Sequence, residues 1–260
     1  IIGGSVVAVA AGAGILTPML TREGRFVPGK PRVGFVEGTP GALPQQSDVV
    51  VIGAGILGVM TAINLAERGL SVVIVEKGNI AGEQSSRFYG QAITYKMTDE
   101  TFLLHHLGKH RWRDMNAKVG VDTTYRTQGR VEVPLDEEDL VHVRQWMDER
   151  HKNVGSDIPF KTRMIEGSEL NQRLRGAKSD WKIAGFEEDS GSFDAEVTAF
   201  VMAEYAKKIG IKIYTNCAAR GLETQAGVIS DVVTEKGAIK TSQVVVAGGV
   251  WSRLFMQNLG

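Results

Sequence analysis

The chain has 260 residues, a length that suits one large domain or two small ones. Hydrophobic residues make up 43% of it, which is enough for a core, and thirty basic residues balance thirty acidic ones. This balance gives no indication of a nucleic-acid partner. The single cysteine, Cys217, excludes an internal disulfide and any cysteine-rich metal site.

Residues 1–21 contain no charged side chain. About 20 uncharged residues can cross a bilayer as a helix, so we predict a membrane anchor or signal-like helix here. A signal peptide without its basic start and a buried helix of a soluble domain stay open as alternatives. Prolines and glycines then predict a linker over 22–47.

Residues 48–77 contain the pattern around which the rest of the chain is organised. A buried strand is predicted over Val49–Ile52, a helix over 56–68 and a second strand over Val72–Val75, which ends at Glu76. A glycine turn joins the first strand to the helix. This strand–turn–helix–strand unit is typical of dinucleotide-binding domains.

Each part of the turn has a physical role in that interpretation. Gly53 permits the tight turn, Gly55 lets the backbone approach a pyrophosphate, and Gly58 lets the helix lie close to the strand. The amino end of the helix offers unpaired N–H groups to an anion. Glu76 is placed to accept hydrogen bonds from a ribose and would repel a 2′-phosphate.

The remaining elements are read from caps and periodicity. Helices are predicted to begin after Thr98, Asp136 and Asp194. Strands are predicted over 127–133, 211–217 and 243–247, with a hairpin turn at residues 236–237.

The last strand ends in the small residues Ala247, Gly248 and Gly249. It resembles the second nucleotide-contacting strand of flavoproteins, which favours FAD over NAD. We therefore predict an α/β fold: a Rossmann-like FAD-binding domain of the glutathione-reductase type, interrupted by an α+β substrate-domain segment and preceded by a hydrophobic helix. The predicted boundaries are 48–95 and 194–260 for the FAD-binding parts, the second of them incomplete, and 96–193 for the substrate segment.

Several stretches resemble the D-amino-acid-oxidase-like FAD oxidoreductases, and within them the membrane-associated bacterial L-amino-acid deaminases. The matching stretches are residues 35–39, 53–58, 60–69, 76–77, 82–87, 125–130, 186–191, 212–217 and 247–252. The resemblance covers nearly the whole chain, and the uncharged leader fits the membrane anchor of that family.

The resemblance implies a reaction in which an L-amino acid loses hydride from Cα to flavin N5. The imino acid then hydrolyses to a 2-oxo acid and ammonia, and the electrons pass to a respiratory chain in the bacterial cytoplasmic membrane. Two alternatives stay open: another flavoenzyme of this fold, such as a glycine or sarcosine oxidase, and an inactive nucleotide-binding truncation. The oligomeric state is not indicated.

The resemblance also implies site residues. Gln84 and Gln91 match positions near the flavin and the substrate and are the catalytic candidates, although Gln91 could also be an ordinary exposed glutamine. Ser85, Ser86 and Arg87 match positions along the FAD diphosphate. The full predicted cofactor set is Gly53, Gly55, Gly58, Glu76, Lys77, Gln84, Ser85, Ser86, Arg87, Ala219, Ala247, Gly248 and Gly249.

No metal site is predicted. His106 and His110 have metal-ligand spacing on a helix, but no acid completes a site, so these histidines and His105 are predicted to lie on the surface. Residues 187–189 are predicted to form a solvated acidic loop. Trp112, Trp146 and Trp251 are predicted to lie in the core.

Members of the family normally continue well beyond the position of Gly260. The resemblance therefore implies that these 260 residues alone bind FAD poorly and do not turn over substrate.

Overall fold

The computed structural model describes residues 36–95, 97–153, 160–175 and 181–259. The helices within these ranges are α1 (Ile56–Ala66), α2 (Asp99–Val119), α3 (Glu137–Asn153), α4 (Gly167–Arg173), α5 (Ala195–Lys208) and α6 (Ser252–Gln257). The strands are β1 (Val49–Ile52), β2 (Val72–Val75), β3 (Gln91–Ala92), β4 (Arg126–Thr127), β5 (Arg130–Glu132), β6 (Thr162–Glu166), β7 (Ile183–Glu187), β8 (Gly191–Ser192), β9 (Lys212–Tyr214), β10 (Ala219–Gln225), β11 (Val228–Thr234), β12 (Gly237–Lys240) and β13 (Gln243–Val246).

The chain divides into two compact units. The split unit joins the described residues up to Tyr89 to those from Ala195 onward, and the inserted unit is Gly90–Asp194. Each is described by itself below.

A four-stranded parallel sheet, in the order β13-β1-β2-β9, forms the centre of the split unit. Val49 pairs with Val72 on one side and with Gln243 on the other. β1 and β2 are runs of valine and isoleucine buried almost throughout, as expected for strands covered on both faces. The predicted elements β1, α1, β2 and β13 are confirmed.

A second, antiparallel sheet in the split unit has the order β10-β11-β12. Its inner face contributes Val232 and Ile239 to a cluster with Val50, Tyr214 and Cys217. Cys217 is a free thiol buried in that core. The hairpin between β11 and β12 turns at residues 235–236, one residue before the predicted position, and Gly237 begins β12.

Two three-stranded antiparallel sheets, β3-β8-β4 and β5-β7-β6, occupy the inserted unit. The single strand predicted over 127–133 is wrong, because β4 and β5 belong to different sheets. Gly129 separates them with φ +73°, and a Cβ there would lie 2.5 Å from the Phe186 ring. The positive φ breaks the extended run.

The helix starts predicted after Thr98, Asp136 and Asp194 are confirmed. At α3, the Asp136 carboxylate accepts a hydrogen bond from the Asp139 N–H at 2.8 Å, which caps the first turn.

The three tryptophans predicted to lie in the core are less buried than expected. Trp112 and Trp146 are half-buried and pack on Phe193 and Tyr95 with ring centroids 5.2 Å apart. Trp251 is exposed, so its core assignment is wrong. The Lys77 ammonium lies 4.4 Å from the centroid of its ring, a cation–π contact that suits a surface position.

Within the described ranges, every helix is too short or too polar to cross a bilayer. The leader predicted over 1–21, and most of the linker predicted over 22–47, lie outside the described residues.

Candidate dinucleotide-binding site

The turn after β1 is closely packed. Gly53 has φ +112°, and its N–H donates to the Val75 carbonyl at 2.8 Å. A Cβ at this position would lie only 2.5 Å from the Ala247 carbonyl oxygen. The Ala247 N–H in turn donates to the Ile52 carbonyl at 2.8 Å. Glycine is therefore required by both the backbone conformation and the approach of the chain after β13.

The helix α1 begins directly on this turn. A Cβ on Gly58 would lie 2.0 Å from the Gly53 carbonyl oxygen and 3.4 Å from the Ala247 Cβ. Gly55 is the N-cap of α1, and a Cβ there would lie 3.1 Å from the Ser85 Oγ. Gly58 is therefore required for the close approach of the helix to the turn, whereas a Cβ at Gly55 would need only a small shift of the Ser85 hydroxyl.

The amino end of α1 and the residues before it present backbone donors. The Ile56 N–H donates to the Ser85 Oγ at 2.9 Å, and the Ala54 N–H donates to Glu76 Oε2 at 2.8 Å. The helix dipole adds partial positive charge at this point. Ser85 thus supplies an oxygen where an anionic oxygen would be favourable.

Glu76 connects three backbone segments of the split unit. Its Oε2 accepts from Ala54, its Oε1 accepts from the Gly78 N–H at 2.8 Å, and its carbonyl accepts from the Cys217 N–H at 2.8 Å. A carboxylate oxygen can accept two hydrogen bonds, so each oxygen keeps capacity for a ribose hydroxyl. Sequence analysis gave Glu76 a ligand role but did not detect this structural one.

The turn after β2 contains the predicted diphosphate residues. Gln84–Ser86 form a 3₁₀ turn in which Gln84 is exposed and Ser85 and Ser86 are half-buried. Arg87 is exposed, and one of its guanidinium N–H groups donates to the Gly82 carbonyl at 3.3 Å.

Lys77 donates to Glu83 Oε1 at 2.8 Å in this same turn. The hydrogen bond from Lys77 lowers the pKa of Glu83. The ion pair is exposed and therefore stabilises the turn only weakly.

The other predicted cofactor residues also lie in the split unit. Ala219 is the first residue of β10 and lies two residues after Cys217, whose N–H is bonded to Glu76. Gly248 and Gly249 follow Ala247 and lead into the 3₁₀ turn Gly249–Trp251. The glycine turn, Glu76 and the small residues after β13 thus meet at the N-terminus of α1, and we call this set of elements the cradle. The arrangement suits a dinucleotide pyrophosphate.

Gln91 belongs to the inserted unit. It is exposed on β3, where its backbone pairs with Ser192 of β8. The amide side chain is therefore accessible on that unit.

The inserted unit also holds a buried polar cluster that sequence analysis missed. Lys109 Nζ lies 2.6 Å from Glu187 Oε1 and 2.8 Å from Asp189 Oδ1, and the Lys109 side chain is 1% exposed. The Thr94 hydroxyl donates to Glu187 as well. The prediction of a solvated loop over 187–189 is therefore wrong for Glu187, which is buried, and right for Glu188, which is exposed.

Two opposing effects act on the Glu187 carboxyl. Burial raises its pKa, but the charge of Lys109 and the hydrogen bonds from Lys109 and Thr94 outweigh burial and leave the pKa lowered. Glu187 is thus held as a buried carboxylate.

The histidines of α2 differ from one another. His105 is exposed as predicted, whereas His106 is fully buried and His110 is half-buried, so the surface prediction is wrong for His106. His106 packs on Phe102 and Phe160, which explains its burial. Burial, followed by the nearby His106, lowers the pKa of His110.

Comparison with known proteins identifies the class to which this cradle belongs. The family model described as FAD dependent oxidoreductase matches residues 48–260. The chain belongs to this family of FAD-dependent oxidoreductases.

Solved structures give a closer likeness. An L-amino acid deaminase from Proteus vulgaris, with its specific insertion sequence deleted, is 88% identical with a TM-score of 0.87, over 91% of this chain and 62% of that one. An L-amino acid deaminase from Proteus myxofaciens in complex with anthranilate is 60% identical with a TM-score of 0.85, over 89% of this chain and 52% of that one.

Glycine oxidase from Bacillus subtilis (strain 168) is a more distant relative. It is 26% identical over 84% of this chain and 58% of its own length. The chain thus spans little more than half the length of the relatives that it matches.

Proposed function

We propose that this protein carries out FAD-dependent oxidative deamination of L-amino acids, giving 2-oxo acids and ammonia. The observation that carries the proposal is the 88% identity and TM-score of 0.87 to an L-amino acid deaminase over 91% of the chain. The likeness to glycine oxidase, at 26% identity, supports the same cofactor. It is only weak support for the alternative that this protein acts on glycine or a similar substrate.

The cradle of the split unit is the proposed site for the adenine dinucleotide part of FAD. Gly53, Gly55 and Gly58 leave room for the pyrophosphate, and the N-terminus of α1 supplies positive potential. The hydroxyls of Ser85 and Ser86 and the Arg87 guanidinium are suited to bind the same anion. Glu76 accepts from the ribose, and Lys77 stabilises the adjoining turn through Glu83.

The residues around the adenine and the small-residue strand end complete the proposed set. Ala219 offers backbone to adenine, and Ala247, Gly248 and Gly249 leave space beside the glycine turn. The bound flavin supplies the hydride acceptor for the substrate Cα. Gln84 and Gln91 are proposed to orient the substrate carboxylate through their neutral amides, since a positioned substrate needs less activation.

The same proposal covers domain roles and location. The split unit is the FAD-binding part, of the glutathione-reductase type, and the inserted unit contributes to the substrate domain. The uncharged stretch over 1–21 would anchor the protein to the bacterial cytoplasmic membrane, where a respiratory acceptor receives the electrons.

Two protein samples test the proposal: this chain alone, and this chain joined to the remaining sequence of the Proteus vulgaris deaminase. FAD affinity is measured by flavin fluorescence, and 2-oxo acid, ammonia and peroxide are assayed with the twenty L-amino acids and selected D-enantiomers. The chain alone is expected to bind FAD weakly and not turn over. The joined protein is expected to oxidise L-amino acids with little peroxide, and its flavin should bleach under nitrogen.

A matched pair of variants isolates the site. Arg87→Ala should weaken FAD binding, whereas Arg68→Ala, an exposed arginine at the end of α1 that bonds the Asn64 carbonyl, should not. Stoichiometric peroxide with glycine or sarcosine would instead support an oxidase of the glycine-oxidase type. Equal ADP and FAD affinity, with no flavin reduction by any amino acid, would refute the enzymatic proposal.

A further inference from the structure

Three donor groups converge in the inserted unit although two of them lie about 80 residues from the third along the chain. One ring nitrogen each from His106 and His110 and a carboxylate oxygen of Asp189 all lie within 4.8 Å of one another. The two histidines lie on one face of α2 because residues four apart on a helix are neighbours. Asp189 is the acid that the sequence alone does not place beside them.

We propose that His106, His110 and Asp189 bind one divalent transition-metal ion of the Zn²⁺ type. Two imidazole nitrogens and one carboxylate oxygen make a donor set that Zn²⁺ prefers, with a water molecule as the fourth ligand. Hard ions such as Mg²⁺ and Ca²⁺ prefer all-oxygen sites, so this donor set discriminates against them.

The spacing of two donors fits tetrahedral coordination. His110 Nε2 and Asp189 Oδ2 are 3.4 Å apart, and both are buried atoms without a hydrogen-bond partner among the described residues. Bonds of about 2.0–2.2 Å to a tetrahedral ion place two ligand atoms about 3.3–3.6 Å apart. The His106 nitrogen lies within 4.8 Å of both atoms and has to move closer to reach the same separation.

The charge balance also favours a cation. Lys109 contributes +1, while Glu187 and Asp189 contribute −1 each, so these three buried or nearly buried side chains sum to −1. Arg113 and Asp114 form their own exposed, neutral pair.

Two side chains contact the proposed ligands: one contact favours metal binding and the other competes with it. Lys109 holds Asp189 Oδ1, which directs Oδ2 toward the histidines, as outer partners of ligating carboxylates commonly do. Arg113 Nη1, however, lies 3.1 Å from His110 Nδ1 and can only donate. When Nε2 ligates, Nδ1 must carry a proton, so the half-exposed Arg113 has to rotate away.

The test uses this chain without a polyhistidine tag, stripped with chelator and dialysed. Zn²⁺ is titrated in competition with a chromophoric chelator, Co²⁺ absorption reports the coordination geometry, and Mg²⁺ is the negative control. One equivalent of Zn²⁺ should bind, with a tetrahedral Co²⁺ spectrum. His110→Ala and Asp189→Asn should each weaken binding by about 100-fold or more, because loss of even an outer partner of a ligand costs about 10–100-fold in affinity.

Controls use the same helix. His105→Ala, an exposed neighbour, should bind Zn²⁺ as the unmodified chain does, and Arg113→Gln should bind several-fold tighter because the competing donor is gone. Circular dichroism checks that each variant folds. If His110→Ala or Asp189→Asn does not fold, His110→Gln is measured in its place. Absence of stoichiometric Zn²⁺ binding by the folded chain, binding that survives loss of both His110 and Asp189, or weaker binding in Arg113→Gln overturns the proposal.

Discussion

Gly58→Ala is expected to destabilise the split unit strongly. The added methyl carbon would lie 2.0 Å from the Gly53 carbonyl oxygen, whereas real Cβ contacts are essentially never under 3.0 Å. The helix or the turn must therefore move by at least about 1 Å. Neither can yield easily, because α1 buries Val59, Ala62 and Ile63 and the turn is bonded to β2.

The magnitude follows from two opposing effects. Overpacking of this kind costs about 3 kcal/mol at the upper end of its usual range. The better helix propensity of alanine returns about 1 kcal/mol, which leaves a net loss of about 2 kcal/mol. FAD affinity should also fall, because the movement closes the proposed pyrophosphate space.

Gly108→Ala is the matched control. Gly108 is also inside a helix, α2, but a Cβ there meets nothing within 4 Å. Alanine should stabilise this position by about 0.5–1 kcal/mol, so the two variants should differ by roughly 3 kcal/mol in urea unfolding followed by circular dichroism. If Gly58→Ala unfolds within about 0.5 kcal/mol of the unmodified chain, the close packing described here is refuted.

Three further predictions concern buried or half-buried polar groups. Glu76→Gln should lower the free energy of unfolding by about 1–3 kcal/mol, because one of the two backbone N–H groups that bond Glu76 then faces an amide donor. Urea unfolding measures the loss, and an unchanged stability would contradict the role of Glu76 in joining these backbone segments. Lys109→Met should cost about 3–5 kcal/mol, since Glu187 would remain as a buried, unpaired charge; a neutral effect in the same assay would refute the ion pair. Acid should destabilise the chain in two ranges. The lowered pKa of His110 makes stability fall below pH 6.5, where the unfolded state takes up a proton first, and the lowered pKa of Glu187 adds a loss below pH 4.5. Between about pH 7.5 and 5.5, measured with chelator present, His110→Gln should remove a slope of at most about 1.4 kcal/mol per pH unit; an unchanged slope would contradict the His110 assignment.

The dinucleotide half of the fold was predictable because its signals are local. The valine run of β1, the glycine spacing and Glu76 lie within 30 residues, and each has one favoured conformation. The partnership of β1 with β13 was indicated by the resemblance to the second nucleotide-contacting strand of flavoproteins, because small residues after a buried strand are by themselves a weak signal. The hydrogen bonds that Glu76 accepts from Ala54 and Gly78 could not be predicted from the sequence, because they depend on the geometry of the folded turn.

The inserted unit was less predictable because its polar core is non-local. Lys109 meets Glu187 across 78 residues, and nothing in either neighbourhood marks one as the partner of the other. Three consecutive acids are more often solvated, so the sequence favoured the wrong environment for Glu187. The break at Gly129 was missed because one glycine in an alternating run is a weak signal.

The pairing of Val49 with Gln243 also has a consequence for synthesis on the ribosome. At about 5–20 residues per second, roughly 10–40 seconds pass between the emergence of β1 and that of its neighbour β13. During that interval an apolar strand has a bare edge, which is a hazard for aggregation. The contiguous stretch Gly90–Asp194 can fold in the meantime. The inserted unit should therefore fold before the split unit, whose sheet needs both ends of the chain.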